Sequence, residues 1–404
     1  RVSRVSNLAH STSTEKFKSA LPSGKALVLY VDRVMLSNFR SYAQLELDIG
    51  QNSVVLTGPN GAGKTNLLEA LSFLSPGRGL RAAKLSDVNK LGALSPWAVS
   101  GRLMTPDGMR QLGSGLVPRH ELSSDVAADR RIGRMDGENL SSPAVFSEIL
   151  QIAWLTPQMD RLFIEGPSGR RRYLDRLVAA YHPTHNREVN AYEKVMRERG
   201  RLLLDGNADP VWLKSLEQRM AEHGVAVAAA RLDAIDKLGQ AIMESASAFP
   251  GAILRVGGEL EEALLSKPAV EVEAEFCERL DATRSHDAKS GRTSIGPHKS
   301  DLRVRHADKD MPAELCSTGE QKALLIGITL ASARLSATQF GAPPLLLLDE
   351  IVAHLDNKRR GFLFEELEDI GSQVWMTGTD KSLFSQMEKK ARFFCFESGK
   401  IEED

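Results

Sequence analysis

The sequence predicts an α/β protein, a mixed sheet with a phosphate-binding loop that is interrupted by an inserted block of helices. Three observations predict it. GPNGAGKT, residues 58–65, stands between a hydrophobic strand pattern and an apolar helical pattern. PLLLLDE, ending at Glu350, is an aliphatic run that reads as a strand buried on both faces. Between them, residues 169–249 are long charged segments rich in Ala and Leu with helical spacing.

Taken in order, residues 1–25 are Ser-rich and basic with one acid, Glu15, and no apolar run. They fit a flexible tail or an organelle transit segment. ALVLYVDRVMLSNF and then LELDIG with SVVLTG read as strands, and the glycine loop follows, opening the helical run NLLEALSFLS. Short alternating stretches punctuated by Gly and Pro predict a largely β subregion over 78–150. LQIAWL reads as a buried strand stopped by Thr156 and Pro157. The helical block holds two or three long helices; at 1.5 Å per residue a hairpin there reaches roughly 60 to 80 Å at most, too short for a giant coiled-coil arm. ILRVGG, VEVEAEF and DLRVRH read as strands, 319–338 as a helix, and PLLLLDE, SQVWMTG and ARFFCFES close the β pattern.

The chain has 404 residues, enough for one large or two medium domains. Its 52 Lys and Arg against 53 Asp and Glu exclude a protein that holds nucleic acid by overall basicity, so such binding must come from local patches. Three widely separated cysteines, Cys277, Cys316 and Cys395, argue against a disulfide framework and for a reducing, cytoplasmic setting. No stretch approaches 18 consecutive apolar residues, so no membrane span is expected.

GPNGAGKT matches G-x-x-x-x-G-K-[ST] in the strand–loop–helix context that gives the motif meaning. Glycines let backbone N–H groups curl around phosphates at the positive end of a helix. Gly58, Asn60, Gly61, Gly63, Lys64, Thr65 and Asn66 are therefore the candidate ATP contacts, with Lys64 neutralising phosphate charge and the Thr65 hydroxyl on Mg²⁺. Asp349 fits the acid that holds the Mg²⁺ shell, and Glu350 is placed to polarise the attacking water. Ser317, Gly319, Glu320 and Gln321 stand at the expected start of a helix, where S-x-x-E also fits an ordinary capping box.

The order GPNGAGKT, LTPQMD, STGEQK, LLLLDE and AHLD resembles the ATP-binding-cassette superfamily and, more closely, the heads of the SMC and Rad50 group. The opening strand with SNFRSY resembles that group's start. GPSGRRRYLDRL, GPHKSDL and MTGTD further resemble the RecF family of bacterial recombination mediators, over nearly the whole chain from about residue 28. The resemblance implies a Rad50-like ATPase head in two parts, 26–167 and 281–404, a helical arm over 168–280, and a tail over 1–25. It implies ATP-dependent homodimerisation, with Ser317, Gly319 and Gln321 contacting ATP across the dimer and Asp356 at the seam. Gln158 matches the position that senses Mg²⁺ and the γ-phosphate, or is a plain loop glutamine; Arg40 reaches the nucleotide, or is a surface arginine. Many cassette ATPases carry a histidine after the strand that follows the catalytic acid. Here Thr377 and Thr379 stand there, and a threonine hydrogen-bonds a phosphate without carrying a proton charge, which predicts slow, switch-like hydrolysis. The resemblance also implies double-stranded DNA as ligand, RecO and RecR as partners, a role in loading RecA at gaps, and support of the SOS response. The alternatives are a transporter ATPase, which would have little use for the helical insert, and a Rad50-like tether, which the short arm opposes.

Charge is uneven along the chain. Arg161–Arg201 holds ten basic and five acidic residues, and Glu259–Asp287 nine acidic and three basic. Arg170, Arg171 and Arg172 are the candidate DNA contacts, since adjacent arginines point around a helix and supply sequence-independent phosphate binding; burial against the head's carboxylates is the alternative. His298 of GPHKSDL reads as a structural loop histidine near the nucleotide side of the head.

Overall fold

A computed structural model of the chain describes residues 29–117, 129–206, 209–397 and 400–404. The expectations for residues 1–25 lie outside the described residues. Two six-stranded sheets form the head. The first is antiparallel, in the order β2-β1-β4-β5-β6-β7: β1 (Tyr30–Phe39), β2 (Tyr42–Asp48), β4 (Ala98–Thr105), β5 (Gly108–Leu116), β6 (Arg131–Met135) and β7 (Glu138–Asn139). The second runs β15-β14-β3-β13-β12-β8, with β3 (Ser53–Thr57), β8 (Ile152–Leu155), β12 (Leu345–Leu348), β13 (Val374–Thr377), β14 (Ala391–Glu397) and β15 (Lys400–Glu403). All its strands are parallel except β15. The near-continuous apolar runs of β3, β12 and β13 follow from burial on both faces.

One face of the parallel sheet packs on α1 (Lys64–Ser72) and the antiparallel sheet, around Phe39, Phe73 and Trp97. The other face packs on α2 (Pro167–Ala179), α8 (Thr318–Phe340) and α9 (Asn357–Ile370). Gln373 joins the two sheets. Its Nε2 donates to the carbonyls of Val31, Gly50 and Asn52, and its Oε1 accepts from the Val31 amide. By length and composition α8 is the one helix among the described residues apolar enough to cross a bilayer; it is mostly buried as the central helix of the head.

The arm is α3 (His185–Asp205) and α4 (Pro210–Glu244), with α5 (Glu259–Leu264), α6 (Ala269–Ala282) and α7 (Arg284–Ser290) laid against them. The 35 residues of α4 span about 52 Å, inside the expected reach. The arm has its own core of Tyr192, Val195, Met220, Phe276 and Leu280. By contrast, α2 and Ala234–Ile242 of α4 are built into the head core, so the packing boundary of the arm lies inside its helices, not at 168 and 280. A small antiparallel sheet joins β9 (Ala252–Gly257), β10 (Asp301–His306) and β11 (Met311–Pro312).

VEVEAEF is not a strand: it belongs to α6. Two Val/Glu pairs and one Ala/Glu pair imitate a period of two, but Pro268 precedes a helix whose Val272, Phe276 and Leu280, spaced by four, are the buried positions.

Candidate nucleotide site

The loop 58–63 leaves the C-terminal end of β3 and enters α1 through Gly63. Gly58 has φ +127°, and a Cβ there would lie 2.4 Å from the Phe396 carbonyl oxygen; Gly63 has φ +111°, and its Cβ would meet the Tyr42 hydroxyl at 2.8 Å. Only glycine fits these two places. The Tyr42 hydroxyl donates to the Gly63 carbonyl at 2.9 Å and so fixes the entry to the helix. Lys64 is 4% exposed, and its Nζ donates to the carbonyls of Gly58 (2.6 Å) and Pro59 (2.8 Å), folded back over the cradle its charge would serve. Burial lowers its pKa, against the pull of Glu350 and Asp349.

The acids arrive from β12. The Thr65 hydroxyl donates to Asp349 Oδ1 at 2.8 Å, joining residues 284 positions apart. The Thr377 hydroxyl, at the end of β13 between β3 and β12, donates to the same oxygen at 2.9 Å. Burial raises the Asp349 pKa, and the two hydroxyls oppose it. Among the described residues Asp349 Oδ2 takes no hydrogen bond, and with the Thr65 hydroxyl it offers the hard oxygen donors that Mg²⁺ prefers; phosphate and water oxygens would complete such a shell. Glu350 follows with φ +53°. Gln158, exposed in the turn after β8, stands at the end of the strand paired with β12. Thr379 is exposed just past β13.

Three expected nucleotide contacts are otherwise engaged. The Arg40 guanidinium makes a two-pronged pair with the buried Glu69 at 2.9 and 2.7 Å and donates to the Asp87 carbonyl. Arg81 pairs with the same carboxylate at 2.9 Å, so two guanidiniums compensate the buried Glu69 and that work engages Arg40. Asn66 Oδ1 accepts from Arg81, and its Nδ2 donates to Ser41. Gln321 is 2% exposed and donates to the Cys316 carbonyl, so in this chain it supports the start of α8. Ser317 and Gly319 do stand exposed there. The capping box is also real: Ser317 caps the Glu320 amide and Glu320 returns to the Ser317 amide. Asp356 is exposed and caps α9 through the Arg359 amide.

The arginine cluster divides. Arg170 pairs with Asp301 of β10 through two bonds of 2.8 Å, Arg171 donates to the Ser300 carbonyl at 2.9 Å, and Arg172 is exposed. Arg170 and Arg171 therefore lock α2 to the 300–301 segment, and only Arg172 stands free for an outside phosphate. Elsewhere in the basic stretch Arg199 is wholly buried between Glu217 and Asp287, and Arg176 stacks on Trp154 at 4.4 Å. His298 lies against the arm, not beside the phosphate loop residues: its ring bonds the Tyr192 hydroxyl and the Thr293 carbonyl.

A glycine phosphate loop tied by Thr65 to an acid pair, with an exposed Ser-Thr-Gly helix start elsewhere on the same head, defines a P-loop ATPase head of the kind shared by cassette and SMC proteins. Comparison with known proteins narrows the class. Residues 30–102 match the family described as RecF/RecN/SMC N terminal domain. The chain is 46% identical over 374 residues to the DNA replication and repair protein RecF of Mesorhizobium japonicum, covering 92% of this chain and 97% of that one. It is 46% identical to the RecF of Agrobacterium fabrum, covering 92% and 98%. The chain belongs to the RecF family. In fold it is similar to the recombination mediator RecF solved with ATP, at TM-score 0.80 and 22% identity over 95% of this chain and all of that one. It is also similar to the Smc head of Pyrococcus furiosus, at TM-score 0.52 and 16% identity over 93% and 96%.

Proposed function

We propose that this chain is an ATP-dependent double-stranded DNA-binding protein of recombinational repair, acting in the cytoplasm as an ATP-driven homodimer with slow, DNA-stimulated hydrolysis. The observation that carries the reading is the Thr65–Asp349 bond, which brings the phosphate loop and the acid pair into one site. Glycine N–H groups and Lys64 hold the phosphates, and Glu350 takes the proton of the attacking water. Thr65 and Asp349, with Gln158 at the end of the neighbouring strand, would hold Mg²⁺, which when bound would supply charge neutralisation at the phosphate. No histidine stands beside Glu350 in MTGTD, which supports a slow step.

Dimerisation is supported by the exposed Ser317-Thr318-Gly319 start of α8, a helix N-terminus suited to anion contact but carried on a different element from the phosphate loop. ATP closes the dimer only if it binds that state better than the monomer. The relatives' names support a place in replication and repair, and that of the ATP-bound relative supports the RecFOR pathway, hence RecO and RecR as partners in loading RecA at gaps and in the SOS response. Identity of 46% to proteins so named leaves the transporter and tether readings without support.

Glu350→Gln is expected to bind ATP and remain dimeric in sedimentation, and to hold duplex DNA with a log-affinity slope against log salt that appears only with ATP. Monomers at saturating ATP, or equal DNA affinity with and without ATP, would sink the clamp.

A further inference from the structure

We infer that Thr377 is a positioning residue for both acids of the site, its single hydroxyl holding Glu350 in a left-handed backbone conformation while it turns Asp349. The inference rests on the ATPase reading above. Thr377 is fully buried at the end of β13, and the parallel pairing of Leu348 with Met376 puts it alongside Asp349. Its Oγ1 donates to Asp349 Oδ1 at 2.9 Å and accepts from the Glu350 amide at 2.9 Å. A hydroxyl has one proton to give and lone pairs to receive with, so both bonds form at once.

Each bond has a separate consequence. Glu350 has φ +53°, a conformation that a non-glycine residue other than Asn or Asp rarely keeps unless its surroundings impose it. Here the imposing contact is the Glu350 N–H on Thr377; without it that amide loses its partner, and the backbone can relax toward the right-handed region, which swings the carboxylate away from where the water must sit. The second bond, together with that from Thr65, occupies Asp349 Oδ1 from two sides and leaves Oδ2 open for the metal shell. Gly378 next in the chain anchors this corner. Its amide donates to the Leu56 carbonyl of β3, which ties the strand end to its neighbour, and a Cβ there would strike the Phe384 ring at 2.5 Å, so the position suits glycine. Thr377 is wholly buried and its hydroxyl is engaged by Glu350 and Asp349. It acts through the two acids.

Two substitutions separate hydroxyl from methyl. Thr377→Val keeps the shape and loses the hydroxyl; Thr377→Ser keeps the hydroxyl and loses the methyl. With the full chain and ATP, Thr377→Val is expected to lower kcat at least tenfold while the affinity for ATP changes less than threefold, and Thr377→Ser to stay within threefold of the parent in both. If Thr377→Val does not fold, Thr377→Ala against Thr377→Ser makes the same comparison. A Thr377→Val enzyme with parental kcat overturns the inference and leaves the ATPase reading standing. Equal losses in the Val and Ser variants, or lost ATP affinity, also overturn it, since they mark packing or binding. A parent chain with no ATP hydrolysis at all overturns the ATPase reading and the inference with it.

Discussion

His298 accepts from the Tyr192 hydroxyl at Nδ1 and donates from Nε2 to the Thr293 carbonyl, a pattern that needs the neutral ring. Burial, then the charges of Lys299 and Arg171, lower its pKa below 6.5, while the Thr293 carbonyl and Asp287 pull the other way. A histidine depressed in the folded state contributes stability that is present above the unfolded pKa and lost as pH falls through the lower folded value. The parent chain should therefore lose Tm more steeply than His298→Gln as pH falls below about 6.5; parallel slopes would show that another group titrates. At this scale the motif itself was legible, because the turn of Gly58 and Gly63 and the fold-back of Lys64 onto the Gly58 and Pro59 carbonyls are written within eight residues, whereas the Thr65 bond to Asp349 was not. Arg40 and Gln321 were not, since their partners Glu69 and the Cys316 carbonyl turn them inward and no sequence spacing marks that turn.

Within α2, three consecutive arginines meet three environments. A helix advances 100° per residue, so Arg170 and Arg171 face β10 and its flank while Arg172 faces out. Arg170→Ala should destabilise the chain by about 1.5–3 kcal/mol in urea unfolding, because it strips Asp301 of a charged hydrogen-bond partner. Arg172→Ala should leave stability within about 0.5 kcal/mol and weaken duplex DNA binding with a shallower salt dependence. The reverse ranking in the two measurements would show that the pair had been misassigned. Elements with strong periodicity, such as α4, α8 and the β12 strand, were readable for the same reason that they form: one face or both faces are apolar. The α6 segment was misread because its six alternating residues fit either period, and the packing of Phe276 against Gly224 of α4 decides between them.

The head and the arm have separate cores, linked by the α2 and α4 helices and by the Asp175–Arg231–Glu261 network. Phe276 is 1% exposed in the arm core. Phe276→Ala should cost about 3–5 kcal/mol, read as faster hydrogen exchange in α3, α6 and α7, with ATP affinity of the head unchanged within threefold. Loss of ATP affinity would mean that the two cores unfold as one. The sequence by itself determined the fold class and the family: the glycine loop, the aliphatic strand before the acid pair and the helical insert are local patterns whose physics needs only a few neighbours. The near-zero net charge, by contrast, hid which arginines stand free. Only the tertiary structure decided that, and only it could place Thr377 beside Asp349 and Glu350 or draw the arm's boundary inside its helices. Those outcomes depend on contacts between residues tens to hundreds of positions apart, which burial and pairing select after the chain has folded.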